Sequence, residues 1–187
     1  LEKFCEQHPD FSYKGARAVL AFTGYEGILG YRTSSSYAGS ETYDQDRQAA
    51  AEVAKCLREH GWELASHSWG HLDLGTVEWD RFQSDTDKWE SEVESLIGPT
   101  DIILFPFGAD IGDWHPYTME NERFRYLYNA GFRYFCNVDS SQYWVQFGEN
   151  YMRQGRRNLD GYRMYYNPEM LEDLFDAGEV FDKARPT

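Results

Sequence analysis

Glu63-Leu64-Ala65-Ser66-His67-Ser68-Trp69-Gly70-His71 reads as a short strand running out into a loop that carries two histidines four residues apart. Gly61 before it and Gly70 within it mark bends in the backbone. Four residues is close enough for both imidazoles to reach one ion from a single compact turn, and strand ends are where the sites of α/β proteins gather. With five histidines in the chain, such a pair arises by chance about 0.1 times per sequence. Spacing alone is therefore also met by two surface histidines at a helix start, capped by Ser66 or Ser68. The zincin pattern is excluded, because it needs a glutamate directly after the first histidine, on a regular helix, and Ser68 and Gly70 occupy that interior.

Outward from this stretch, apolar runs and helical periodicities alternate. Residues 16–23 read as a strand buried on both faces and closed by Gly24. Residues 24–39 hold four glycines, Tyr25, Tyr31, Tyr37 and Ser34-Ser35-Ser36, a long loop that reads either as a substrate-facing flap or as a plain surface insertion. Residues 41–60 predict a helix with Ala49, Ala50, Val53, Ala54 and Leu57 as its stripe, a Thr42–Gln45 capping box, and Gly61 as its stop. Residues 76–97 predict a second helix ended by Gly98-Pro99, and 101–107 a strand in which Pro106 is tolerated near the end.

Residues 109–117 bring Asp110, Asp113, Trp114 and His115 to the same end of the sheet as His67 if the strands are parallel, and read equally as a solvated acidic loop. A helix over 118–130, a strand over 132–138 leading to Asp139, a loop over 140–160, a short fifth strand over 161–166 and a helix over 168–175 complete the pattern. Strand–helix alternation without a hairpin signal predicts parallel βαβ units.

The strand followed by His67-Ser68-x-x-His71 resembles the second motif of the NodB-type polysaccharide deacetylases, and Phe105-Pro106-Phe107-Gly108 resembles the third, the resemblance spanning residues 15–166. It implies an α/β fold, a distorted parallel (β/α) barrel, in which His67 and His71 bind a divalent metal, zinc, and Ser68 stabilises their loop. The implied reaction is metal-assisted removal of acetyl groups from a glycan. The implied substrate contacts are Phe105, Pro106, Phe107, Gly108, Trp114 and Tyr25.

Two features depart from the family pattern: Leu104 stands where an arginine of the third motif is usual, and no histidine follows His115 to act as the usual general acid. The third ligand and the base, an Asp-Asp pair in the family, have no counterpart in this chain and are expected upstream of Leu1. Residues 1–8 read as the end of a helix already in progress, without a starting methionine, so the chain is expected to be one catalytic domain, 1–187, incomplete at its N-terminus. Asp139, Asp160, Arg163 and His115 are the candidates for acid–base roles within the chain, Asp110 and Asp139 for a substitute ligand. Asp160-Gly161 with a surface-paired Arg163 also reads as an ordinary turn.

At 187 residues and 41% hydrophobic content the chain suits one globular domain. A net charge of −14 disfavours nucleic acid and anionic lipid surfaces as partners, and no apolar run is long enough to span a membrane. Three cysteines without close pairing give neither a disulfide framework nor a cysteine zinc site. The 17% aromatic content, much of it in loops, suits sugar faces and also plain cores. The resemblance implies an extracytoplasmic location. Two function classes follow: a carbohydrate deacetylase, and a non-catalytic relative that keeps the fold for glycan binding or structure. A glycosidase using two loop carboxylates is a third, weaker reading.

Overall fold

Short apolar runs closed by glycine, proline or a polar turn make most of the strands. The computed structural model describes residues 2–139, 142–180, 182 and 184. In chain order its elements are α1 (Glu2–Gln7), β1 (Val19–Phe22), α2 (Tyr43–Glu59), β2 (Glu63–Ser66), α3 (Trp79–Trp89), α4 (Ser95–Ile97), β3 (Ile102–Leu104), α5 (Glu122–Asn129), β4 (Tyr134–Val138), β5 (Trp144–Phe147), β6 (Met152–Arg156), α6 (Gly161–Tyr166) and α7 (Ala177–Val180). The sheet order is β1-β2-β3-β4-β6-β5, parallel throughout except for the β5–β6 pair. The described strands form an open, mostly parallel α/β sheet rather than a closed ring.

Several expectations are corrected. The segment 140–160 is not one loop, since it contains β5 and β6 joined as an antiparallel hairpin; its residues 140 and 141 lie outside the described residues. Residues 161–166 form α6 instead of a strand, because Asp160 accepts a hydrogen bond from the Arg163 amide and starts a helical turn. The capping box of α2 does not form: the Thr42 hydroxyl donates to Asp46, and no side chain caps the first turn.

Register places Phe22, Ser66, Ile103, Phe135 and Arg153 in one row across the sheet, and in a sheet such a row shares a face. That face meets the helices, with Leu64, Ile103 and Phe135 packing among Ala50 and Ala54 of α2, Phe82 and Trp89 of α3, and Phe124 and Leu127 of α5. The opposite face leaves Val19, Tyr134, Val145 and Phe147 exposed. β1, expected to be buried on both faces, has no fully buried residue. None of the described helices is long and apolar enough to cross a membrane.

The predicted second helix is interrupted. Between α3 and α4 the chain makes a π-helical turn, Glu90–Glu94. Its buried residues explain why: Trp89, Val93 and Ile97 follow one another at intervals of four, which a 3.6-residue helix would rotate away from the core. The wider turn keeps them on the sheet side, and such bulges recur at functional sites. Here it lies beside the histidine loop.

Candidate functional site

β2 ends at Ser66, and the His67 amide still pairs with the Phe22 carbonyl at 2.9 Å. Beyond it the chain turns sharply, with Ser68 at φ 61° and His71 at φ 53°. Left-handed conformations cost a non-glycine residue of order 1–3 kcal/mol and persist only where the surroundings enforce them. The surroundings are explicit. The buried Asp85 carboxylate of α3 accepts the Trp69 and Gly70 amides at 2.9 and 2.6 Å. The buried Ser68 hydroxyl accepts the Leu72 amide at 3.0 Å.

The two imidazoles come together with ring centroids 5.0 Å apart and planes at 70°. His67 Nδ1 lies 2.6 Å from the Leu104 carbonyl, so this nitrogen carries the proton and Nε2 keeps its lone pair. Burial pushes the pKa of His67 below the ordinary histidine value; the Leu104 bond opposes the shift, and the neighbouring His71 and the Arg156 guanidinium add to it. The neutral imidazole, the form that binds metals, is therefore favoured at His67.

Phe107 is 73% exposed, at φ 58°, with its ring 4.7 Å from that of His71. Tyr25 is brought alongside by its own backbone, since the Gly24 and Tyr25 amides both donate to the Trp69 carbonyl, at 2.8 and 3.0 Å. Phe105, by contrast, is 0% exposed and packs on Phe135, and Pro106 and Gly108 are buried. Of the four residues of this turn, Phe107 alone is exposed, and the other three form its buried support.

Trp114 is exposed, its ring 6.3 Å from Trp144, and His115 is exposed with its carbonyl taken by Arg153 at 2.6 Å. Asp110, named as a possible substitute ligand, has its carboxylate buried and accepting from Arg153, Tyr117 and the Gly112 and Trp114 amides. Asp139 follows β4, its amide paired with Arg156 and its carboxylate accepting the Gln142 amide. Asp160 caps α6, and Arg163 donates to Asn167 and Met170, so both act in local structure and neither meets the histidines through a strand end.

Three groups at the site escaped the sequence reading: Asp85, Glu92 and Arg156. Arg156 donates to the Phe105, Asn137 and Cys136 carbonyls beside His67, and burial lowers its own pKa. Its signal was the strand 152–156, which a reading of that segment as loop concealed. As to a metal, the two imidazoles bring two nitrogen-donor side chains together, and among the described residues no group of three His, Cys, Asp or Glu that could hold an ion stands together. A hydrolytic ion ordinarily takes three protein ligands.

Comparison with known proteins gives one family match: the model described as polysaccharide deacetylase covers residues 32–130, just over half of the chain and including both histidines and the Phe105–Gly108 turn. No curated protein matches. Among solved structures, a Mycobacterium smegmatis chain described as a polysaccharide deacetylase is 14% identical with a TM-score of 0.40, over 83% of this chain and 64% of that one. An allantoinase is 19% identical with a TM-score of 0.38, over 73% of this chain and 46% of its own. This chain thus spans less than two thirds of either.

Proposed function

This chain belongs to the polysaccharide deacetylase family, and from that premise we propose that it carries out metal-dependent hydrolysis of acetyl groups on a glycan. The observation that carries the metal part of the reading is the tautomer of His67: with Nδ1–H given to Leu104, Nε2 is left with its lone pair, and the ring of His71 stands 5.0 Å away between centroids. A divalent ion held there, zinc by the preference of nitrogen donors, would supply Lewis acidity at the acetyl carbonyl. His67 and His71 would hold it, while the exposed rings of Phe107 and Tyr25 offer apolar faces to a sugar. Asp139, at the C-terminal end of β4, is the candidate proton acceptor and His115 the candidate donor. The net charge of −14 favours neutral or cationic glycans.

The test is acetate release from acetylated chitooligosaccharide and from acetylated xylan, with added zinc. The parent chain releases acetate, and His67→Ala and His71→Ala each lose more than about 100-fold. A second reading, a non-catalytic glycan-binding module, is favoured by the set of two rather than three ligands among the described residues. It predicts binding of the same oligosaccharides with no acetate released.

A further inference from the structure

The long loop of residues 24–39 and the histidine loop are separate in sequence, yet they share one indole and one carboxylate. Trp69, between the two histidines, is held on several sides. Its carbonyl accepts the Gly24 and Tyr25 amides. Its ring covers Gly24 so closely that a Cβ there would lie 2.3 Å from the indole. Lys88 Nζ sits 4.5 Å over the ring centroid. Its Nε1 donates to Glu92 at 3.0 Å.

The same Glu92 carboxylate accepts two bonds from the far end of the long loop, from the Ser35 amide at 3.1 Å and the Ser35 hydroxyl at 2.6 Å. Ser35 opens a short 3-10 turn, Ser35–Tyr37, so this anchor fixes an ordered segment rather than a loose strand of chain. Glu92 itself comes from the π-helical turn, while Asp85, seven residues earlier on α3, holds the histidine loop by its amides. Two carboxylates from one helical unit thus grip the histidine loop, and one of them also grips the loop that carries Tyr25.

We propose that Glu92 is a positioning residue that joins the 24–39 loop to the His67–His71 loop, so that the two order together and the loop flanking the site cannot open without loosening the histidines. The consequence for catalysis rests on the proposed function above; the mechanical coupling does not. A carboxylate is suited to the task because Oε2 accepts from the Ser35 amide and the Trp69 indole at once while Oε1 accepts the Ser35 hydroxyl, three donors in all. Glutamine with its amide oxygen in the place of Oε2 still accepts from the Ser35 amide and the Trp69 indole, but neutral acceptance is weaker and the Ser35 hydroxyl must turn to accept from its NH2.

The experiment is hydrogen–deuterium exchange on the parent, Glu92→Ala, Glu92→Gln and Trp69→Phe chains, paired with zinc titration of each. Glu92→Ala is expected to speed exchange at least about 10-fold in both 24–39 and 67–72, leaving the amides of α5 and β4 at parental rates. Glu92→Gln gives a smaller increase, and Trp69→Phe, which removes the indole donor and trims the ring over Gly24, speeds both segments. Zinc affinity falls in the same order, within about 10- to 100-fold. Acceleration in one of the two segments alone, in neither, or uniformly through the chain overturns the proposal. If the parent binds no zinc, the metal reading fails, while the exchange pattern still decides the coupling on its own.

Discussion

At the scale of single residues, the buried pair Asp110–Arg153 shows how far a side chain's role depends on a partner remote in sequence. Their side chains are 2% and 1% exposed and meet at 2.7 Å. The guanidinium lies 4.0 Å from the Tyr117 ring and 5.3 Å from that of Trp144. Burial, then the Asp110 carboxylate, pushes the Tyr117 hydroxyl far above the ordinary phenol range, so it remains a donor to Asp110. Removing one member strands a charge in the core, so Arg153→Ala is expected to lower unfolding stability by about 3–5 kcal/mol in urea titrations. A loss within about 0.5 kcal/mol would show the pair to be dispensable. Sequence marked Asp110 as a polar loop residue near the site and a candidate ligand. It could not reveal that the loop folds over Arg153, because Arg153 stood in a segment without strand-like patterning. That the rings of His67 and His71 lie together was legible because the signal is local: a spacing of four, a strand before, glycine at the bend.

At the scale of elements, helices with an apolar stripe were readable and short strands with charged interiors were not. α2 and α3 announce themselves by Ala50, Ala54, Phe82 and Trp89 at helical intervals, all buried. β6, Met-Arg-Gln-Gly-Arg, buries Arg153 and lets Trp144 lie against Gly155, where a Cβ would stand 2.4 Å from the indole. No hydrophobicity pattern encodes that packing, since its burial comes from an ion pair and a cross-strand aromatic. α1 yields a pH-dependent prediction. Glu2 accepts from Arg17 at 2.6 Å and from the Trp62 indole at 3.0 Å. The Arg17 and Trp62 hydrogen bonds hold the Glu2 carboxyl at about 2, against 4.5 ordinarily. A depressed carboxyl contributes above its unfolded value and loses that contribution as pH falls through the folded one. Docking of α1 is therefore at full strength above 4.5 and fades toward about 2. The Trp62 indole N–H resonance should shift over that window; a resonance unchanged through it would contradict the docking.

At the scale of the whole molecule, an open sheet packed on one face by helices places the histidine loop, the Phe107 turn and the end of β4 along the carboxyl ends of its parallel strands. The parallel order β1 to β4 followed from strand–helix alternation; the antiparallel edge did not, because a four-residue hairpin strand carries too little pattern to register. The α/β class was thus legible from periodicity, while the site's support from Asp85, Glu92 and Arg156 depended on contacts between segments distant in the chain. The central claim is that His67 and His71 bind a divalent ion, and calorimetric titration of zinc into the purified chain at neutral pH tests it most directly. Saturable binding of about one zinc per chain is expected, abolished in His67→Ala and in His71→Ala. No binding by the parent, or binding undiminished in both variants, would contradict it.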